Sequence, residues 1–202
     1  MAKRALDLVA ASLGLLVLSP LFAAVAVMIR TTSPGPVFFR QERVGLRGRS
    51  FRIYKFRTMR HDAEAVGGQL TVGGDPRITR VGAALRRGKI DELPQLINVV
   101  RGEMSLVGPR PEVPRYVAHY DDRQRRVLDV RPGITDPASI AFRDENDLLA
   151  ASEDPERTYL TEVMPRKLEM NLDYLERRGL VSDVAVILST LARLLPRGSR
   201  GP

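Results

Sequence analysis

The chain has no cysteine and no tryptophan, and only two histidines, His61 and His119, in 202 residues. Without cysteine there is no disulfide and no thiolate metal site. Two histidines make a His-based zinc centre a poor fit, so a metal here has to be hard and oxygen-ligated, as magnesium is. Acidic residues are also in deficit: 24 Asp and Glu against 32 Lys and Arg leave a net charge of +8, with a pI near 10.4. That balance calls for an anionic partner, which could be nucleic acid, anionic lipid or a phosphorylated small molecule. Aromatic residues amount to 5% and no nucleic-acid motif is visible, which argues against nucleic acid. The length suits one domain with attachments.

Charge is also missing from one long run. From Ala5 to Ile29 only Asp7, Ser12 and Ser19 interrupt the apolar residues, and about 20 apolar residues match the length of a transmembrane helix. A signal peptide would be shorter and end in small residues, whereas this run closes on Met28-Ile29-Arg30. A single crossing conflicts with the flanks. Lys3 and Arg4 precede the run, and Arg30, Arg40, Arg43, Arg47 and Arg49 follow it, while positive residues favour the cytoplasmic side. Ser19-Pro20 lies inside the run, and proline removes a backbone donor there. The expectation is a re-entrant helix over residues 1–32 that breaks at Ser19-Pro20 and returns to the same face. Ser19 would supply part of the lost hydrogen bonding.

Thr31 to Pro36 is turn chemistry and opens a second unit, residues 33–202. Val37–Gln41 and Phe51–Phe56 pattern as strands around the turn Gly45-Leu46-Arg47-Gly48, predicting a hairpin. Residues 61–76 are expected to form a loop. Arg77–Arg87 and a segment starting near Asp91 are expected to be helical, the second with Asp91 as N-cap, Pro94 in its first turn and Gly102 at its end. Residues 113–128 and 156–178 pattern as exposed amphipathic helices. The apolar Val184–Leu195 segment could pack on the core or lie at a lipid interface. The fold class is small α/β, mostly helical.

Three clusters carry candidate chemistry. Asp91-Glu92 admits two readings. One is a pair of acids complementing a helix start. The other is an ionised carboxylate held where a phosphate would bind, available as a nucleophile if magnesium screens it from a diphosphate. Arg110, between Pro109 and Pro111, is confined to extended backbone and suits bidentate phosphate binding, or is a turn arginine at the surface. Lys55 and Arg57 would share one face of a strand. On these residues alone the chain is a basic, membrane-attached, phosphate-binding domain.

The order and wording of the clusters add more. Arg4-Ala5-Leu6-Asp7, Ser19-Pro20, Ser33–Gln41, Lys55–Met59, Asp91–Ser105, Val107–Pro111 and Arg131–Thr135 together resemble the bacterial sugar transferases, the small monotopic phosphoglycosyl transferases. The resemblance covers nearly the whole chain. It implies transfer of a phosphosugar from a UDP-sugar to polyprenyl (undecaprenyl) phosphate with release of UMP, and Mg2+ dependence. It also implies a cytoplasm-facing site on the bacterial inner membrane, in contact with membrane lipid, and a role in starting glycoconjugate assembly. Asp91 matches the nucleophile, and Glu92 the second acid, for metal binding or proton management. Arg110 matches the phosphate-binding element. Lys55 and Arg86 match basic positions near the site, with Arg57 a further substrate-binding candidate beside Lys55, and Asp183 matches an acid in the C-terminal helix, structural or in the active site. Asp136-Pro137-Ala138-Ser139 departs from the Gly-Trp-Ala-Gln of many members, and Arg143 stands near their Arg-Asn pair, a region expected to contact nucleotide or sugar. Asn171 replaces a frequent Asp. No additional N-terminal membrane domain is expected at this length, and the pattern is compatible with a homo-oligomer.

Overall fold

In the computed structural model, which describes residues 2–61, 63 and 75–194, one helix dominates the N-terminal part. This helix, α1 (Ala2–Thr32), spans 31 residues, about 46 Å at the α-helical rise. It is helical throughout, Ser19-Pro20 included, so the expected interruption of the helix does not appear. Pro20 cannot donate to the Leu16 carbonyl one turn back. The Ser19 hydroxyl donates to that carbonyl instead, at 2.8 Å, so the chain keeps its helical course past the proline.

A single stripe of α1 faces the rest of the molecule. Asp7, Ala11, Val25 and Ile29 are buried, and Leu15, Leu18 and Phe22 are partly buried against the body. The spacing follows the helical repeat along the whole length. The N-terminal half packs on Leu96, Val99 and Met104, and the C-terminal half on Phe56 and Leu85. Leu6, Val9, Leu13, Leu16, Val17, Leu21, Val27 and Met28 remain exposed.

After the turn at residues 33–36 comes the hairpin β1 (Phe38–Val44) and β2 (Ser50–Phe56), antiparallel with Phe38 opposite Phe56. Helix α2 (Arg80–Arg87) starts later than Arg77, because the Thr79 side chain caps it by accepting from the Gly82 amide. A 3-10 turn, Ile90–Glu92, leads to α3 (Gln95–Arg101), which Gly102 ends in the left-handed region. Strand β3 (Ser105–Val107) pairs in parallel with β4 (Gly133–Thr135), a pairing between segments too short to register as a sequence pattern. Between these strands lie α4 (Pro114–Val117) and a 3-10 turn, Gln124–Asp129.

The C-terminal part comprises α5 (Pro137–Ala141), α6 (Glu145–Ala150), α7 (Pro155–Thr158), α8 (Met164–Arg177) and α9 (Leu180–Leu194). Of the two segments expected as exposed amphipathic helices, 156–178 is helical over most of its length with its polar face outward, whereas 113–128 forms only α4 and a 3-10 turn, and each buries its apolar side. Val113, Tyr116, Val117, Tyr120 and Val127 meet Tyr159, Val163, Leu168 and Leu172 in one core. The expected loop at 61–76 lies largely outside the described residues.

Asn98 joins the layers. It is fully buried; its carbonyl oxygen accepts from the Tyr54 amide, and its amide donates to the Arg52 carbonyl and to Glu103. Losing these bonds strands buried backbone groups of β2. We expect Asn98→Ala to lower unfolding stability by about 2–3 kcal/mol, measured by denaturant titration in detergent micelles. A change below about 0.5 kcal/mol, the scale of ordinary surface substitutions, would contradict this role.

Candidate active site

The site is centred on the 3-10 turn between α2 and α3. Asp91 does not cap a helix as expected: α3 begins at Gln95 behind Pro94, and no side chain caps it. The turn is entered through Lys89 at φ 54°, a left-handed conformation held by a residue with a side chain, beside Gly88 in the ordinary right-handed region. Local strain of about 1–2 kcal/mol therefore sits next to the acids. It directs Asp91 and Glu92 inward, and both are buried.

Glu92 is fully engaged. Lys55 Nζ of β2 donates to its Oε1 at 2.8 Å; Arg110 donates to Oε1 through one terminal nitrogen at 2.5 Å and to Oε2 through the other at 3.2 Å. Burial alone would raise the Glu92 carboxyl, but the charges of Arg110 and Lys55 and the Arg110 hydrogen bonds together hold it well below the usual carboxylate range. Glu92 in turn raises Arg110. Lys55 is lowered, chiefly by its own burial, with Glu92 opposing.

Asp91 differs. Its buried Oδ1 has no hydrogen-bond partner. Burial first, and then the Glu92 charge, push its carboxyl above the ordinary value, while Lys55, Arg86 and Lys89 pull it back. The result is one acid locked as a carboxylate by cations beside a second held open.

The supporting segments explain these positions. Arg110 lies on a strap stitched from both sides: the Gly108 amide donates to the Thr135 carbonyl, the Gly133 amide to the Pro109 carbonyl, and Arg43 to the Pro111 carbonyl. A Cβ on Gly133 would lie 2.1 Å from the Gly108 nitrogen, so the crossing requires glycine. Arg86 is set by an equally close approach. A Cβ on Gly82 would fall 1.9 Å from the Thr58 carbonyl oxygen, and with glycine there Arg86 Nε reaches Thr58 Oγ1 at 2.9 Å.

Asp91, Glu92, Lys55, Arg86 and Arg110 thus come together. Arg57, Arg143 and Asp183 do not. Strand β2 ends at Phe56, so Arg57 no longer shares the face of Lys55; its guanidinium donates to the Ser33 and Pro34 carbonyls and ties down the turn after α1. Arg143 donates to the Arg193 carbonyl on α9. Asp183 pairs with Lys3 and accepts from the Tyr174 hydroxyl, joining α1, α8 and α9. Lys89 and Gln95 were missed. Lys89 acts by charge on both acids. Gln95, one turn past Asp91, is buried with neither amide atom bonded; its place directly after Pro94 was the only available signal.

Magnesium has a fitting donor set in part. Among the described residues no group of three or more His, Cys, Asp or Glu could hold a metal. The unpartnered Asp91 oxygen is a hard ligand of the kind Mg2+ takes together with water and substrate phosphates. Glu92, expected as a second ligand, has both oxygens committed to cations.

A buried carboxylate pair ringed by Lys55, Arg86 and Arg110 is carried on a body with one long apolar helix, the arrangement of a membrane-associated protein with a cation-ringed acidic site. The chain belongs to the bacterial sugar transferase family, which it matches over residues 1–197. It is 42% identical over 199 residues to the UDP-glucose:undecaprenyl-phosphate glucose-1-phosphate transferase of Xanthomonas campestris pv. campestris, covering 96% of this chain and 39% of that protein. It is 40% identical over 198 residues to the UDP-N-acetylgalactosamine-undecaprenyl-phosphate N-acetylgalactosaminephosphotransferase of Aeromonas hydrophila, covering 96% and 43%. With the exopolysaccharide production protein ExoY of Rhizobium meliloti (strain 1021), identity is 36% over 215 residues, covering 98% and 88%. The chain thus spans about two fifths of the first two relatives.

The two acids make opposite contributions to stability. Glu92, lowered on folding, stabilises above its unfolded pKa, and this is lost as pH falls through the folded value. Asp91, raised on folding, opposes the folded state increasingly as pH rises above its unfolded pKa, and fully above the raised value. We expect Asp91→Asn to unfold at a higher temperature than wild type at neutral pH, with the difference shrinking on acidification and gone below the ordinary aspartate range. A lower or pH-independent difference in thermal unfolding would contradict the raised Asp91.

Proposed function

We propose that this chain is a phosphoglycosyl transferase that moves a sugar phosphate from a UDP-sugar to undecaprenyl phosphate and releases UMP. The observation that carries this reading is the open, buried Asp91 oxygen beside a Glu92 already neutralised by Lys55 and Arg110. The names of its relatives supply both substrates.

In the first step an ionised Asp91 oxygen attacks the phosphorus that bears the sugar. The bond from that phosphorus to the bridging oxygen breaks, and UMP leaves with the electron pair. Lys55, Arg86 and Lys89 favour the ionised Asp91 this requires. In the second step an oxygen of the carrier phosphate attacks the same phosphorus and Asp91 departs as carboxylate. The product is a polyprenyl-diphosphate-sugar that would begin a membrane glycan. Glu92 positions Lys55 and Arg110, whose remaining donors face negative charge on phosphate oxygens. Asp91 would contribute one oxygen to a bound Mg2+, and the ion would supply neutralisation of the phosphate charge.

The reading also requires an interfacial site on the cytoplasmic side of the inner membrane. Support comes from α1, whose packing residues run from Asp7 to Ile29 against a single body while its other face stays apolar and exposed. A helix held at both ends by the same body keeps both ends on one side of the bilayer, in the monotopic manner.

Two measurements test these points. With magnesium, undecaprenyl phosphate and a panel of UDP-sugars, UMP release from one or two donors is expected, with a loss of at least about 1,000-fold in Asp91→Asn, since removal of a covalent nucleophile takes away most of the acceleration. Release of UDP, or full activity in Asp91→Asn, would overturn the mechanism. Single cysteines placed at Ala2 and Thr32, in a chain with none of its own, are expected to react with an impermeant thiol reagent from the same side of sealed vesicles. Opposite-side labelling would make α1 a crossing helix.

A further inference from the structure

Arg143 stands in the region expected to contact nucleotide or sugar, yet it lies against α9. Between α5 and α9 runs a groove of about 330 Å3, lined by Pro137, Ile140, Ala141, Ala185 and Val186, with Arg193 at its edge. The two arginines frame this edge: Arg193 donates to the Ile140 carbonyl at 2.9 Å, and Arg143 to the Arg193 carbonyl at 2.5 Å. Among the described residues neither guanidinium has a carboxylate partner. Apolar walls beside two uncompensated cations complement an amphiphile with an anionic head, and do not suit a nucleotide.

The surroundings narrow the occupant. Val181, Val184, Leu188 and Leu191 form an exposed apolar stripe on α9, and the groove residues Ala185 and Ser189 directly follow Val184 and Leu188, so groove and stripe adjoin on the helix. A chain immersed in lipid at the stripe can therefore enter the groove sideways. The elements that line the groove also connect to the strap that carries Arg110. Thr190 of α9 hydrogen-bonds Thr135 of β4 at 2.7 Å; the Thr135 carbonyl accepts from Gly108; and Asp136, immediately before α5, acts by charge on Arg110. The volume is at the small end for ligand sites, which favours one chain over the paired chains of a phospholipid.

We propose that this groove seats the polyprenyl phosphate acceptor, with the isoprene units nearest the phosphate against α5 and α9, and Arg193 and Arg143 drawing the phosphate to the groove edge. This rests on the transferase reading for the identity of the lipid, and it assigns Arg143 to the acceptor in place of the nucleotide sugar.

The absence of tryptophan gives a direct test. The full chain carrying Ser189→Trp, in phosphatidylcholine vesicles without any nucleotide sugar, would be titrated with undecaprenyl phosphate and, separately, with phosphatidylglycerol. The proposal expects a saturable blue shift with undecaprenyl phosphate alone, and a midpoint about tenfold higher when Arg193→Gln is added, the scale of one charged contact. Ala185→Trp provides a second reporter should the first variant misfold. Equal responses to the two lipids would make the groove a general lipid surface and overturn the proposal, as would no response from either folded reporter. The titration needs no turnover, so a chain that binds undecaprenyl phosphate here yet releases no UMP keeps the groove and loses the transferase mechanism. A chain that releases UMP but shows no selective shift loses only the groove.

Discussion

The contact of Glu92 with Lys55 and Arg110 holds together segments that have little else in common. Lys55 comes from the hairpin, Glu92 from a strained turn, and Arg110 from a strap between prolines more than fifty residues beyond Lys55. A buried glutamate without partners would be protonated or expelled; with two cations it stays charged. The converse also holds, since two cations buried together without Glu92 would repel. The contact therefore fixes the spacing of the positive groups, and the neighbouring Asp91 is left without a cation of its own.

The division of labour between the acids follows from that arrangement. Glu92 is committed to holding Lys55 and Arg110 in place and has no oxygen to spare. Asp91 is buried and opposed in its ionisation, and its Oδ1 has no hydrogen-bond partner, an arrangement that costs stability. The close approaches at Gly82 and Gly133 show how far the backbone is drawn in to make it.

The apolar surface follows a second constraint. Helix α1 is hydrophobic on every side, yet only one stripe meets the body, and Asp7 anchors that stripe by accepting from Ser105 Oγ and the Leu106 amide. Lys3 of α1 then meets Asp183 of α9. Two helices with exposed apolar faces are thereby tied by a half-buried ion pair, so the surfaces suited to lipid are set relative to the acidic site by the fold.

Much of this was legible in the residues. The hairpin, the long apolar helix, the acid pair and the arginine between prolines all follow from local rules: alternation, run length, and the narrow backbone choices of proline. Asp91, Glu92, Lys55 and Arg110 could be named as candidates in that way, and Arg86 through the family resemblance. Which of them meet could not, because ion pairs across 18 to 37 positions depend on how layers stack and leave no periodic signal. Arg57 shows the limit: a strand one residue longer would have turned it toward Lys55, but β2 stops at Phe56 and its guanidinium serves the Ser33-Pro34 turn. The same holds for α1, where an all-apolar helix hides the face that packs, and for Ser19, whose hydroxyl repairs the helix that Pro20 was expected to break. Composition and local pattern determined that this chain is basic, apolar at its start and equipped with phosphate-compatible groups. The tertiary structure alone decided that Glu92 is the clamp and Asp91 the open acid, because burial and charge pairing are properties of neighbours in space.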